Sequence, residues 1–230
     1  MSLWNDIWRL FFPQCCLLCG KILVVGEEHV CLHCLSGLPR TRMHLQRENE
    51  VEKSLWGKFP VERATAFFHY AKGGDVQKLL FDLKYYGNAR LGQFLGRCMT
   101  REIHPSGFFD DVDGIVPVPL HRQKQRTRGY NQSRMLAEGI SSVTGIPLWD
   151  GLLVRTKFSE TQTQKGSYER WLNVKDVFEC TSPEELEGKH ILLVDDVLTT
   201  GATLVACADA MQNVKGLRVS VLTLAWAGHS

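Results

Sequence analysis

The chain contains no apolar run of about 18 residues, the length that a membrane-crossing helix needs. Nor do its first residues, MSLWNDIWRLFF, hold an unbroken apolar core followed by a small-residue cleavage site, because Asp6 and Arg9 interrupt them. Both absences lead to the expectation of a soluble, cytoplasmic protein. A strong charge of either sign is also missing. The 27 basic and 25 acidic residues leave a net charge of +2, far from the field of a protein that wraps nucleic acid, so any such contact must be local. There is no Gly-Lys-Ser/Thr, which excludes a Walker A loop, and there is no internal repeat or low-complexity tract. What remains is 230 residues, 44% hydrophobic, enough for one good core and a small appendage.

Cysteine is not scarce. There are eight, and four of them form Cys16-x₂-Cys19 and Cys31-x₂-Cys34, eleven residues apart. In a reducing compartment paired CxxC turns point to metal, and this is the spacing of a short zinc ribbon with two knuckles. Two disulfides or redox thiols are the alternatives, and Cys15, His29 and His33 are spare candidates that confuse the ligand assignment. A segment this short cannot bury a core without a staple, so Zn²⁺ would serve folding. Cys98, Cys180 and Cys207 are scattered among apolar neighbours and read as small buried hydrophobes.

Trp4, Ile7, Trp8 and Phe11 predict a short amphipathic helix over 3–12 that ends before Pro13 and packs on the protein itself. Residues 41–60 are charged and weakly periodic, and read as a linker or a loose helix. From Glu62 the pattern becomes α/β. Strands are expected at 64–70, 114–119, 152–156, 190–197 and 217–226, and helices carry Val76 to Leu83, Leu91 to Cys98, Tyr130 to Thr144 and Ala202 to Val214. The alternation predicts a mostly parallel sheet with helices on both faces.

One of those strands has a chemical ending. In LLVDDVLTTGAT (192–203) a buried apolar strand feeds small and hydroxylated residues that open a helix. Backbone N–H groups of Thr199 to Thr203 can point at a phosphate there, Gly201 permits close approach, and the helix N-terminus adds positive potential. Asp195 and Asp196 stand at the strand's carboxyl end, where doubly wound sheets bind ligands, and sugar hydroxyls or a hydrated Mg²⁺ would satisfy them. A strand ending in Asp with a capping Thr is the ordinary alternative for a shorter string. The whole string resembles the phosphoribosylpyrophosphate loop of the type I phosphoribosyltransferases. The resemblance implies that Asp195 and Asp196 meet the ribose hydroxyls and Mg²⁺, and that Thr199, Thr200, Gly201, Ala202 and Thr203 hold the 5-phosphate.

Between His121 and Arg134 the chain reads HRQKQRTRGYNQSR, with five Lys or Arg and no acid. A solvated basic face is the usual meaning of such a run. Leaving the same sheet edge as the phosphate loop, Arg122, Arg126 and Arg128 can stabilise the charge that develops on a departing pyrophosphate. Leu120 and His121 sit where the resembling enzymes bend their pyrophosphate loop, with an unusual peptide geometry expected. A second polar stretch, KFSETQTQKGSYER (157–170), reads as mobile surface. In the resembling enzymes a loop at this position closes over the reacting centre, which singles out Gln162, Lys165 and Arg170.

Taken together, CLLC with CLHC, VPVPLHRQKQRTRGYNQS, Gln162 with Arg170 and Asn173 ahead of Phe178, and VDDVLTTGAT are similar to the ComF family, bacterial proteins linked to natural competence. The resemblance implies an α/β, type I phosphoribosyltransferase-like domain over 61–230, behind an N-terminal helix, four-cysteine zinc ribbon and linker over 1–60. It also implies a protein acting on or beside incoming single-stranded DNA, with a helicase-like competence protein as partner. Two functions compete. One is a Mg²⁺-dependent transferase whose acceptor nitrogen attacks C1 of the ribose. The other is a binding module of the DNA-uptake machinery with phosphoribosylpyrophosphate as a regulatory ligand, its run 121–134 tracking phosphates while Tyr130 and nearby aromatics stack on bases.

Overall fold

A computed structural model describes residues 13–156 and 177–228. The helix expected over 3–12 and the loop residues Gln162, Lys165 and Arg170 lie outside the described residues. The chain opens with the cysteine-bearing turns, where Cys15 bridges Ile22, and passes into α1 (Leu32–Gly37) directly after Cys31. The segment read as a linker is packed instead. Its helix α2 (Glu50–Leu55) is capped by Asn49, whose side chain accepts from the Val51 and Glu52 N–H groups, and it buries Val51 and Leu55 completely. Asn49 also donates to the Ala64 carbonyl at 2.9 Å, fixing the segment to the first strand. Its two buried apolar residues are four apart, too few for periodicity to reveal.

The strands β1 (Ala64–His69), β2 (Gly114–Pro117), β5 (His190–Leu198) and β6 (Arg218–Trp226) form one parallel sheet in the order β1-β6-β5-β2. Between β1 and β2 come α3 (Asp75–Tyr85) and α4 (Ala89–Ile103); α5 (Arg122–Arg128) and α6 (Gln132–Thr144) follow β2, and α7 (Ala202–Ala210) joins β5 to β6. Alternation along β5 builds two cores. Leu192 and Val194 face Phe67, Leu79 and Leu136, while Ile191 and Leu193 face Leu55, Val116 and Leu204 on the other side.

Three expected elements change. The strand at 152–156 is β3 (Leu153–Arg155), and it pairs antiparallel with β4 (Phe178–Cys180) rather than joining the parallel sheet. The free edge of β2 is already met by residues 147–149: Ile115 N–H donates to Pro147, and Trp149 N–H donates to Ile115. The helix expected from Tyr130 starts at Gln132, and α7 stops at Ala210 rather than Val214. Inside the first core α4 and α6 touch backbone to backbone. A Cβ on Gly96 would lie 2.2 Å from the Leu136 carbonyl oxygen, and one on Gly139 would lie 2.3 Å from that of Gln93. Glycine is required at both, and the close crossing sets where the first turn of α6 meets β5.

Candidate ligand-binding site

Asp195 and Asp196 sit near the carboxyl end of β5, both buried. Burial is what a carboxylate resists most, so each is held by donors. Ser133 Oγ donates to Asp195 Oδ1 at 2.9 Å, and the Asp196 N–H donates to the same oxygen at 2.8 Å. Gln132 Nε2 donates to Asp196 Oδ2 at 3.1 Å, and Lys84 Nζ forms an ion pair with that oxygen at 2.9 Å. Even so, burial first and the Asp196 charge second raise the pKa of Asp195 to about 7. Lys84 behaves oppositely: burial disfavours its charge, but the neighbouring Asp196 outweighs that and raises its pKa.

The carboxylates open into a cleft of about 1080 Å³. Of the residues singled out in the sequence, the cleft brings together Leu120, Arg128, Asp195, Asp196, Thr199 and Thr203. His121, Arg122, Arg126, Thr200, Gly201 and Ala202 do not line it. The basic run folds as the helix α5, capped by His121, whose Nδ1 accepts from the Gln123 N–H. Helical geometry turns Lys124 and Arg128 inward and leaves Arg122 and Arg126 on the exposed face. No cis peptide bond occurs among the described residues, and His121 has an ordinary extended backbone, so the unusual geometry expected at Leu120 and His121 is absent. Tyr130 is also corrected. It is buried and donates its hydroxyl to the Leu83 carbonyl, so it offers no open ring face.

The loop after β5 has the expected form. Gly201, at φ +79°, is the N-cap of α7 and turns the chain so that the helix N-terminus opens beside Thr199 and Thr203. It packs on Leu55, which would lie 3.1 Å from a Cβ at this position. Lys58 donates to the Thr200 carbonyl at 3.0 Å, so the segment preceding β1 braces the loop.

Sequence reasoning missed Lys84, Lys124, Gln132, Ser133 and Arg155, all of which line the cleft. Asn131 was a legible signal. It caps α6 through the Ser133 N–H, which marks the residues that follow it as a helix N-terminus. Lys124 has its pKa lowered, by burial first and then by the charges of Arg155, Arg128 and Lys84. Two polar atoms in the cleft are buried without a hydrogen-bond partner among the described residues, Arg128 Nη1 and Gln132 Oε1. Unpaired donors and acceptors of this kind are costly unless a ligand meets them. At the outer lip, Phe81 and Tyr85 pack tilted at 43° with ring centres 4.6 Å apart, Phe81 meets Tyr86 at 5.8 Å, and the Arg128 guanidinium lies 5.4 Å from the Tyr85 ring. All three rings are at least half exposed.

In the N-terminal turns the Sγ atoms of Cys16, Cys19, Cys31 and Cys34 lie within 4.8 Å of one another, and all eight cysteines are free. The four sulfurs could hold a metal ion such as zinc, and they suit its tetrahedral thiolate coordination. Cys15, His29 and His33 stay outside the group, and Cys15 is exposed with its thiol toward the Pro13 carbonyl. Although burial opposes it, hydrogen bonds from the Cys31, Cys19 and Leu18 backbone lower the pKa of Cys16 to about 6.

Residues 131–230, from the α6 cap through the acidic pair to the chain end, match the family described as phosphoribosyl transferase domain. The DNA utilization protein YhgH of Escherichia coli strain K12 is 28% identical over 218 residues, covering 88% of this chain and 92% of that protein. Competence protein F of Haemophilus influenzae is 29% identical over 177 residues, covering 76% and 74%, and competence protein ComFC of Bacillus subtilis is 27% identical over 226, covering 94% and 88%. These relatives support assigning the chain to the ComF family. Its α/β body is the type I phosphoribosyltransferase fold, a parallel sheet flanked by helices. The matched segment begins at the cap that aims Gln132 and Ser133 at Asp196 and Asp195. Among the described residues no helix is long and apolar enough to cross a membrane.

Proposed function

We propose that the cleft binds 5-phosphoribosyl-1-pyrophosphate together with Mg²⁺ and transfers its phosphoribosyl group. The observation that carries the reading is the buried Asp195–Asp196 pair beside a Gly201-opened helix N-terminus, facing inward-turned cations across one cleft. Thr199 and Thr203, which line the cleft, hold the 5-phosphate, and Thr200, Gly201 and Ala202 form the turn that opens the helix N-terminus toward it. Asp195 and Asp196 accept from the ribose hydroxyls, and with the unpaired Gln132 Oε1 they form an all-oxygen donor set that suits a hydrated Mg²⁺. When bound, Mg²⁺ neutralises charge building on the leaving pyrophosphate. Arg128 and Lys124 face the same group. His121 caps α5, Leu120 lines the entry, and Gln162, Lys165 and Arg170 are the residues to test for closure.

A second reading adds to this one. The exposed rings of Phe81, Tyr85 and Tyr86 and the exposed Arg122 and Arg126 offer a single strand rings for its bases and cations for its phosphates. The relatives named competence proteins support a link to natural competence, and a helicase-like competence protein is the partner proposed for it. The four cysteines hold structural Zn²⁺ in a segment that packs on the domain core, with Cys16, Val30, Cys31 and Leu38 in one cluster with Phe67 and Leu79, and the 41–60 stretch packs on the domain through Val51 and Leu55. Calorimetric titration with phosphoribosylpyrophosphate, with and without Mg²⁺, tests the first reading, followed by assay for released pyrophosphate in the presence of nucleobases. Heat that needs Mg²⁺ and release that needs a base identify a transferase. Binding without release leaves a ligand-regulated uptake module, and no binding refutes the site.

A further inference from the structure

Asp196 Oδ2 has two lone pairs in the plane of its carboxylate, and it meets two donors, Gln132 Nε2 at 3.1 Å and Lys84 Nζ at 2.9 Å. Both lone pairs of that oxygen are engaged by the chain's own side chains. Lys84 stands in the last turn of α3, with Gly87 in a left-handed turn at φ +67° just beyond the helix end. Its side chain is a quarter exposed, against 9% for the Asp196 side chain it pairs with, so it reaches a buried acid from the open side of the cleft. The wall it leaves is cationic, since Lys124, Arg128 and Arg155 line the same cleft. An ammonium on a flexible four-carbon stem can therefore move from the acid to an anion lodged among those cations with little backbone change.

We infer that Lys84 is the resident counter-cation of the acidic pair, and that it releases Asp196 to an incoming metal and moves onto the diphosphate of the ligand. The inference rests on the reading of the cleft as a site for a phosphoribosyl diphosphate with Mg²⁺. Lys84 holds two adjacent buried carboxylates against mutual repulsion while the cleft is empty, and it makes a free divalent ion compete with a charge already in place. Metal and diphosphate then bind together far better than the metal alone, because only the diphosphate gives the displaced ammonium a new partner. Lys84 is a positioning residue, and a merely structural ion pair has a different signature.

The test uses Lys84→Met and Lys84→Arg in the full chain, with two readouts. Mn²⁺ binding without ligand is counted from the paramagnetic signal of the free ion, and phosphoribosylpyrophosphate binding is followed by calorimetry at saturating Mg²⁺. Lys84→Met is expected to tighten Mn²⁺ at least tenfold and to weaken phosphoribosylpyrophosphate at least tenfold. Shifts of opposite sign support the hand-over. Unchanged affinities, or a loss of both, make Lys84 a structural ion pair and overturn the inference while the functional reading stands. If the wild type takes up no phosphoribosylpyrophosphate, that reading fails, and the Mn²⁺ arm still decides whether Lys84 guards the acids. Lys84→Arg keeps the charge and should hold Mn²⁺ affinity within about threefold of wild type. Should Lys84→Met not fold, an Arg variant that tightens Mn²⁺ tenfold would by itself refute the guard.

Discussion

Asp195→Asn should stabilise the empty protein, and the gain should depend on pH. The pKa of Asp195 is about 7 in the fold against an ordinary 3.8, chiefly through burial and then the charge of Asp196. For a carboxyl group raised in this way the sign is fixed. Below pH 4 it is protonated in both folded and unfolded chains and contributes nothing. Between pH 4 and 7 the unfolded chain sheds the proton while the fold retains it, so stability falls as pH rises, and above 7 the full cost remains. About three units at about 1.4 kcal/mol each put that cost near 4 kcal/mol. Asparagine keeps an acceptor oxygen for the Ser133 hydroxyl and the Asp196 N–H, but its amide N–H₂ needs partners that a carboxylate did not, which removes about half of the gain. About 2 kcal/mol should remain at pH 8, a rise in Tm of about 4–8 °C for a chain of this size. Thermal melts of wild type and variant at pH 8 and pH 5 measure it, with the difference shrinking at pH 5. Phosphoribosylpyrophosphate with Mg²⁺ should raise the wild-type Tm and leave the variant unmoved, because only a bound ligand adds stability. A variant less stable than wild type at pH 8, or a gap independent of pH, would refute the account of Asp195 as a strained ligand-binding acid.

Gly96→Ala should cost about 3 kcal/mol or more, since its Cβ meets the Leu136 carbonyl at 2.2 Å, and it should weaken ligand binding as well because α6 carries Gln132 and Ser133; an unchanged urea midpoint would contradict the close crossing. Arg128→Ala should weaken phosphoribosylpyrophosphate at least tenfold, whereas Arg122→Ala with Arg126→Ala should leave it within about twofold and flatten the salt dependence of oligonucleotide binding; calorimetry and fluorescence anisotropy separate the two. Phe81→Ala with Tyr85→Ala should weaken a labelled oligothymidine by about 1–3 kcal/mol per stacked base, and a strand affinity equal to wild type would remove the stacking surface. Cys31→Ser should release about one zinc per chain, measured by atomic emission, and lower Tm; a metal-free protein with the wild-type melt would exclude a structural metal.

The legible parts of this chain are those where consecutive residues share one cause. The β5 sequence is apolar from Ile191 to Val194 because both faces of a parallel strand are buried there, and the acids and the turn to Thr203 follow without a break, so strand, acids and loop could all be read in order. The four thiols were legible for the same reason, because each CxxC turn is local. What escaped was set by elements meeting at a distance. Lys84 is an unremarkable basic residue at a helix end until α3 is laid across the mouth of β5, and only that crossing places it 2.9 Å from Asp196, 112 positions along the chain. Val51 and Leu55 are two apolar residues in a charged stretch, and their burial follows from Asn49 reaching Ala64.

The basic run fails in a more instructive way. Read as a line, HRQKQRTRGYNQSR offers its arginines equally to one ligand and Tyr130 to another. Folded as a seven-residue helix, it sorts them by phase, with Lys124 and Arg128 four apart and facing the acids, and Arg122 and Arg126 four apart and facing solvent. Tyr130 is removed from the surface by its bond to Leu83, and α3 supplies the open rings in its place. The sorting also answers the conflict posed by the sequence, in which one set of cations had to serve both pyrophosphate and nucleic acid. Two faces of one short helix can serve both at once. Phosphoribosylpyrophosphate should therefore leave oligonucleotide affinity unchanged when the strand lies along the outer face, and should compete with it only if the strand enters the cleft through Arg128.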